Sequence, residues 1–260
     1  MPEGDTILRV ANRIRPVLEG RVPDEILTPQ LRHSADRWPE RLRGRVVTRV
    51  DTHGKHLFLH FEGELVIHSH LRMSGAWSVQ PDGDRWHRAG RRAWLVMRAS
   101  GIEVIEFDGP VLELMTEGRM RIDARLRALG PDLLAAGGLD APRILRRLRA
   151  DDPTRGIGDA LLDQRIVAGI GNIWKAEGCW TAGIDPWRHT EDVTDAEVLG
   201  LIFDVRPRMQ DSAESVRQGV ADRNVYNRAG RVCARCGAII RARGQGDDNR
   251  TTYWCPGCQH

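Results

Sequence analysis

The residues best suited to chemistry stand at the start of the chain, Pro2 and Glu3. Removal of Met1, usual before a small second residue, would leave Pro2 with a free secondary amine. An α-amino group titrates near about 7.7–8.0 and a lysine near about 10.4, so at pH 7 roughly a tenth of the terminal amine has a free lone pair. Attack by such an amine on a sugar C1′ gives a Schiff-base intermediate, and a secondary amine gives an iminium that is cationic without an added proton. Glu3 beside it is a candidate for moving protons. A proline after Met1 is also what an ordinary solvated terminus shows, so its company in the chain decides its reading.

A second chemical pattern closes the chain. Cys233-x2-Cys236 and Cys255-x2-Cys258, eighteen residues apart, match the four-cysteine zinc spacing. Four thiolates leave no open position on the metal, so one structural zinc is expected. Two disulfides are the alternative, disfavoured because nothing points to an oxidising compartment. Cys179 lies apart and reads as a buried apolar residue. Only Lys55 and Lys175 are lysines, every other basic side chain being arginine. Lys55 follows Gly54 at a predicted strand start, where a solvated strand-end lysine is the plain alternative.

Composition narrows the class. The 260 residues suffice for two domains and an appendage. No charged-then-apolar start and no run of eighteen apolar residues occurs, so export and membrane spanning are not indicated and a cytoplasmic, nucleoid-associated protein is expected. Residues 223–260 hold seven arginines against Asp247 and Asp248, a balance of +5 that leaves −2 for the rest of a chain whose net charge is +3. A basic end segment suits a polyanion, although solvated surface charge would look the same.

The elements that must position these residues follow from periodicity. Ile7, Leu8, Val10, Ala11, Ile14, Val17 and Leu18 predict a helix over 6–19, with Asp5 as N-cap and Gly20 as stop. After a turn-rich stretch at 29–39, alternating runs predict strands at 45–51, 55–61, 64–70, 75–80, 92–98 and 102–107, spaced as in a β-sandwich. Gly130-Pro131-Asp132 marks a domain edge, beyond which helices follow. Asp140 caps one over 141–150, and Thr194 to Glu197 is a capping box. A helix over 158–168, the Gly169-Ile170-Gly171 break and Asn172 as the next N-cap make a helix-turn-helix whose free backbone N–H groups face outward, the hardware for holding a phosphate. Residues 239–243 and 250–254 predict a hairpin between the cysteine pairs, carrying Arg250.

Taken together, Pro2-Glu3-Gly4, His53-Gly54-Lys55, His70-Leu71-Arg72-Met73-Ser74-Gly75, Leu161-Leu162-Asp163-Gln164 with Gly169-Ile170-Gly171-Asn172, and Arg250-x4-Cys255-Pro256-Gly257-Cys258-Gln259 resemble the formamidopyrimidine-DNA glycosylase and endonuclease VIII family, closer to the endonuclease VIII branch. The resemblance implies an α+β multidomain fold: an N-terminal β-sandwich over 1–130, a helix-two-turns-helix domain over 131–222 and a zinc-finger hairpin over 223–260. It implies a bifunctional glycosylase and abasic-site lyase of base excision repair, acting as a monomer on double-stranded DNA with oxidised bases, pyrimidines above all, or abasic sites. Pro2 would form the Schiff base that leads to β,δ-elimination, Glu3 would shuttle protons, and Lys55 would contact a phosphate near the lesion and assist proton transfer. Asn172 and Arg250 would grip flanking phosphates, and Leu71, Arg72 and Met73 would fill the space left by the extruded base, a buried strand end being the plain alternative for Leu71 and Met73. Tyr226 and Arg228 resemble the family's linker.

Two departures qualify the likeness. Asp5-Thr6 stands where many relatives carry a second glutamate, so proton shuttling is arranged differently or runs slower. Phe107-Asp108-Gly109-Pro110-Val111 replaces the Asp-Pro-Arg-Arg-Phe-Gly loop by which the sister branch contacts the opposite base, which puts a preference for oxidised purines in doubt. A lesion-binding or regulatory zinc-finger protein without catalysis is the alternative function.

Overall fold

The computed structural model describes residues 2–30, 36–215 and 223–260. The chain divides into two compact units, one of Pro2 with Thr6–Arg127 and one of Glu3–Asp5 with Ala128–His260. Among the described residues no helix is long and apolar enough to cross a membrane.

In the first unit, helix α1 (Gly4–Leu18) lays Ile7, Ala11, Ile14 and Leu18 along one stripe, all buried in the core. It starts two residues before the predicted position. Asp5 is therefore not the N-cap but part of the first turn, where its carboxylate accepts from Ser212 Oγ at 2.6 Å. Gly20, at φ +76°, ends the helix as expected.

Two antiparallel four-stranded sheets form the sandwich. One runs β2 (Val47–His53), β3 (His56–Phe61), β4 (Leu65–His70), β8 (Val111–Thr116). The other runs β1 (Glu25–Leu27), β6 (Ala93–Ala99), β7 (Ile102–Phe107), β5 (Ala76–Pro81). Alternate residues Leu57, Leu59, Phe61 and Ile67 from the first sheet meet Leu95, Met97 and Val104 from the second in the shared core. All six expected strands are present. Periodicity gave no sign of β1, too short to show a period, or of β8, which follows Gly109-Pro110. The turn-rich stretch at 29–39 includes 31–35, outside the described residues, and leads into helix α2 (Trp38–Leu42). Helices α3 (Glu117–Ile122) and α4 (Ala124–Arg127) set Met120 and Leu126 over Phe58, Val66 and Met115, part of the outer face of the first sheet.

The second unit holds α5 (Ala141–Arg149), α6 (Ile157–Ala160), α7 (Asn172–Ala182), α8 (Asp195–Glu214) and the hairpin of β9 (Arg241–Gln245) with β10 (Arg250–Trp254). Asp140 caps α5 by accepting from Arg143 N, and the Thr194–Glu197 capping box is complete at α8. The helix expected over 158–168 stops at Ala160. Asp163 accepts from Arg165 N at 2.9 Å and Gln164 Nε2 donates to the Leu162 and Ile170 carbonyls, offering the backbone another set of partners. Ala168 then forms an isolated bridge to Asp132, its N–H donating to Pro131 O and its carbonyl accepting from Leu133 N. The cysteine segment shares a core with α7, in which Ala176, Val225, Cys233, Ile240 and Cys255 are all buried.

Candidate active site

Glu3 is 1% exposed, and its carboxylate takes three backbone N–H groups at the start of α7: Ile173 at 2.8 Å, Gly171 at 3.0 Å and Trp174 at 3.2 Å. Helix α7 has no side-chain cap of its own, its N-cap being Gly171. A carboxylate from the other end of the sequence supplies it, and the helix N-terminus in turn favours the anion. The expected outward-facing N–H groups of this turn are thus already bound. Gly4 N donates to Gly169 O at 2.9 Å, and a Cβ on Gly4 would lie 2.9 Å from Gly169 Cα. Glu3-Gly4 and the Gly-Ile-Gly turn, parts of separate motifs in the sequence, are two halves of one contact. Pro2, half-buried, immediately precedes it; Met1 lies outside the described residues.

Asn172 is the first residue of α7, not its N-cap. It is 9% exposed, and its Nδ2 donates to Thr251 O at 2.7 Å while Oδ1 is buried without a hydrogen-bond partner. That bond sets α7 against β10 one residue from Arg250, so Asn172 and Arg250, both expected to contact phosphates, lie close together. Arg250 is half-buried and holds Asp248 at 2.9 Å.

Periodicity and motif spacing gave no sign of what braces this junction. Lys175 is wholly buried, its Nζ donating to Thr252 Oγ1, which donates on to Gln245 Oε1 at 2.9 Å; Gln245 Nε2 reaches Pro186 O at 2.6 Å. Burial pushes the Lys175 ammonium down to about 8. Glu177, also wholly buried, accepts from the N–H groups of Asn224, Val225 and Tyr226 at 2.9, 3.0 and 2.9 Å. The rarity of lysine was the one signal that pointed toward Lys175.

In the first unit, Lys55 sits half-buried in a two-residue turn closed by the His53–His56 pair. Gly54 takes φ +57° at the first central position, the II′ geometry that suits the twist of a hairpin. The loop after β4 separates three residues expected to act together. Leu71 is 3% exposed and belongs to the sandwich core, so it packs rather than reaching outward. Arg72 is exposed at φ +44°, and Met73 is 73% exposed. Gly75 N closes the loop on Leu71 O at 2.9 Å.

The four cysteine sulfurs lie within 4.8 Å of one another. A tetrahedral zinc with bonds of about 2.3 Å places its sulfurs about 3.8 Å apart. The Cys233–Cys258 and Cys236–Cys255 sulfurs are 3.8 and 3.4 Å apart, so the set fits zinc and is not paired as disulfides. Cys179 is wholly buried in α7, and burial pushes its thiol up to about 12.

Residues 1–109 match the family model described as formamidopyrimidine-DNA glycosylase N-terminal domain, and 129–223 match its H2TH domain. The chain is 37% identical, over 100% of its length and 94% of the relative's, to a probable endonuclease 8 2 of Streptomyces coelicolor. It is 34% identical to the DNA-(apurinic or apyrimidinic site) lyase Nei2 of Mycolicibacterium smegmatis, over 100% of this chain and 99% of that one. Among solved structures, Lactococcus lactis Fpg in complex with an abasic site containing DNA superposes with a TM-score of 0.84 at 22% identity, covering all of both chains.

Proposed function

Because the chain belongs to the formamidopyrimidine-DNA glycosylase family, we infer that it is a DNA glycosylase and abasic-site lyase of base excision repair, working through the amine of Pro2. The observation that carries this reading is the clamped carboxylate of Glu3, one peptide bond from that amine.

The Pro2 lone pair forms the N–C1′ bond as the C1′–base bond breaks and the base leaves with a proton. The nitrogen loses its own proton, the sugar ring opens as O4′ gains one, and an iminium remains. Its positive charge acidifies C2′–H. Loss of that proton expels the 3′ phosphate, and loss of a second proton at C4′ expels the 5′ phosphate, which completes β,δ-elimination. Glu3, its carboxylate oriented by three N–H donors, stabilises the neighbouring cation and shuttles protons in these steps. Lys55 contacts a phosphate beside the lesion and assists proton transfer. Asn172 and Arg250 bind flanking phosphates from the α7–β10 junction, and the exposed Met73 with Arg72 occupies the gap left by the extruded base.

Cys233, Cys236, Cys255 and Cys258 would hold one zinc, which when bound ties the hairpin to its knuckles and leaves no position for chemistry. Oxidised pyrimidines and abasic sites in duplex DNA are the substrates this reading favours, with a single chain per lesion and a cytoplasmic setting.

Borohydride reduction with an abasic duplex tests it. A covalent protein–DNA adduct that vanishes when the Pro2 amine is blocked is expected. Tight binding with no adduct would instead indicate a lesion-binding protein without catalysis.

A further inference from the structure

Five of the nine histidines, His53, His56, His60, His68 and His70, share the face of the β2–β3–β4–β8 sheet opposite the sandwich core. The reaction outlined above employs none of them. His56 Nδ1 lies 2.8 Å from His68 Nε2, His68 Nδ1 lies 3.4 Å from a Glu113 carboxylate oxygen, and Arg125 holds that carboxylate at 3.0 Å.

The donors in this chain are fixed from its acidic end. A carboxylate accepts, so His68 donates through Nδ1–H; a neutral ring then offers only a lone pair at Nε2, and His56 must donate its Nδ1–H to it. The backbone N–H of Arg72 likewise makes His70 Nδ1 an acceptor, at 3.3 Å. Burial first, and the neighbouring imidazoles second, push His56 down to about 2, while burial and then the Arg72 charge push His70 to about 4. Burial also lowers His68 against the pull of Glu113. The three rings are therefore neutral near pH 7, as the donor pattern requires.

The ring of His56 is where this chain meets the Lys55 turn. It follows Lys55 directly, and its centroid stands 4.6 Å from that of His70, the residue that receives the Arg72 N–H. An apolar trio would fill the same space without fixing how any ring is rotated. A hydrogen-bonded series of imidazoles has one orientation. We propose that His56, oriented by His68 and Glu113, is a positioning residue that holds the Lys55 turn and the Arg72–Met73 loop in one fixed relation. This rests on the reading of Lys55 given above.

The test compares wild type with His56→Phe, His56→Asn, Glu113→Gln and Lys55→Ala for the rate of borohydride trapping on an abasic duplex, the dissociation constant for that duplex and the thermal midpoint. His56→Phe keeps an aromatic ring in contact with His70 but loses the donor. It should slow trapping about ten- to a hundredfold while the dissociation constant stays within about twofold and the midpoint within a few degrees. His56→Asn, whose amide N–H overlays the lost donor, should recover most of the rate, and Glu113→Gln should fall in the same direction as His56→Phe. Wild-type trapping in His56→Phe beside slow trapping in Lys55→Ala overturns the positioning role and leaves the reading of Lys55 standing. Wild-type rates in both overturn both. Parallel losses of rate, binding and stability make His56 a packing residue and also overturn the proposal. Should His56→Phe fail to fold, Glu113→Gln at the half-exposed end of the series decides in its place.

Discussion

A methyl group on Gly171 would lie 2.3 Å from the carboxyl carbon of Glu3. The third residue of the chain and the turn before α7 therefore fit only because position 171 has no side chain. That closeness lets one carboxylate take the N–H groups of Gly171, Ile173 and Trp174 together.

Gly171→Ala must push Glu3 off these donors, leaving buried N–H groups unpaired, so a stability loss of about 1–3 kcal/mol is expected. Glu3→Gln keeps the shape but turns an amide NH2 toward N–H donors, with a similar loss. Urea unfolding and borohydride trapping on the two variants measure both effects. Wild-type trapping in Gly171→Ala would show that the clamp is not needed for chemistry.

Acid should weaken the first unit through its histidines. His56 and His70 are held at about 2 and about 4, below the ordinary 6.5. Each is neutral when folded while its unfolded counterpart takes a proton, so the unfolded state binds more protons below pH 6.5 and stability falls on acidification. The slope is at most about 1.4 kcal/mol per pH unit for each ring, and less for the more exposed His70. Urea unfolding at pH 7, 6 and 5 should give a shallower fall for His56→Asn; an unchanged slope would remove His56 from the acid response.

Lys175 gives a response at the alkaline end. Its folded value of about 8 lies below the ordinary 10.5 because the amine is buried. Between these two values the unfolded chain holds the proton and the folded chain does not, so stability rises with pH across that window. Below it the buried charge costs on the order of 3 kcal/mol. Lys175→Met should therefore gain on the wild type at pH 7 and lose that advantage by pH 10, as read from paired melts.

Arg250 stands at the start of β10 beside the Asn172–Thr251 bond. Arg250→Ala should weaken duplex binding for any sequence and reduce the slope of log affinity against log salt by about one phosphate contact. Titrations at several salt concentrations would reveal a parental slope if Arg250 makes no such contact.

Chelation should act on more than the hairpin. Cys233 and Cys255 lie in one buried cluster with Ala176 of α7, so removal of bound zinc is expected to lower the melting temperature and loosen the α7–β10 junction. Hydrogen exchange at α7 before and after chelation measures this. Protection unchanged along α7 would confine the metal's effect to the knuckles.

What could be read in advance was what local spacing controls. The stripe Ile7, Ala11, Ile14, Leu18 is a helix in any context that buries it, and the run 102–107, rich in β-branched and aromatic residues, forms the strand expected of it. Leu71 is buried in the sandwich core, which a loop between two strands does not reveal in advance, because only packing against the sandwich decides which side chain turns inward. The stretch 158–168 has helical periodicity, yet Asp163 and Gln164 bond locally and a bridge to Asp132 captures Ala168.

The sequence by itself determined the reactive groups: a proline and glutamate at the start, two lysines, and four cysteines spaced for one metal. Covalent spacing is sufficient there, because the ligands of each knuckle lie within one turn. Only the tertiary structure decided that Glu3 caps α7, that Lys175 braces the hairpin and that His56, His68 and Glu113 form one hydrogen-bonded series. Each of those links joins residues far apart in the chain, and a buried donor or acceptor must find its partner in space, wherever the fold has brought one.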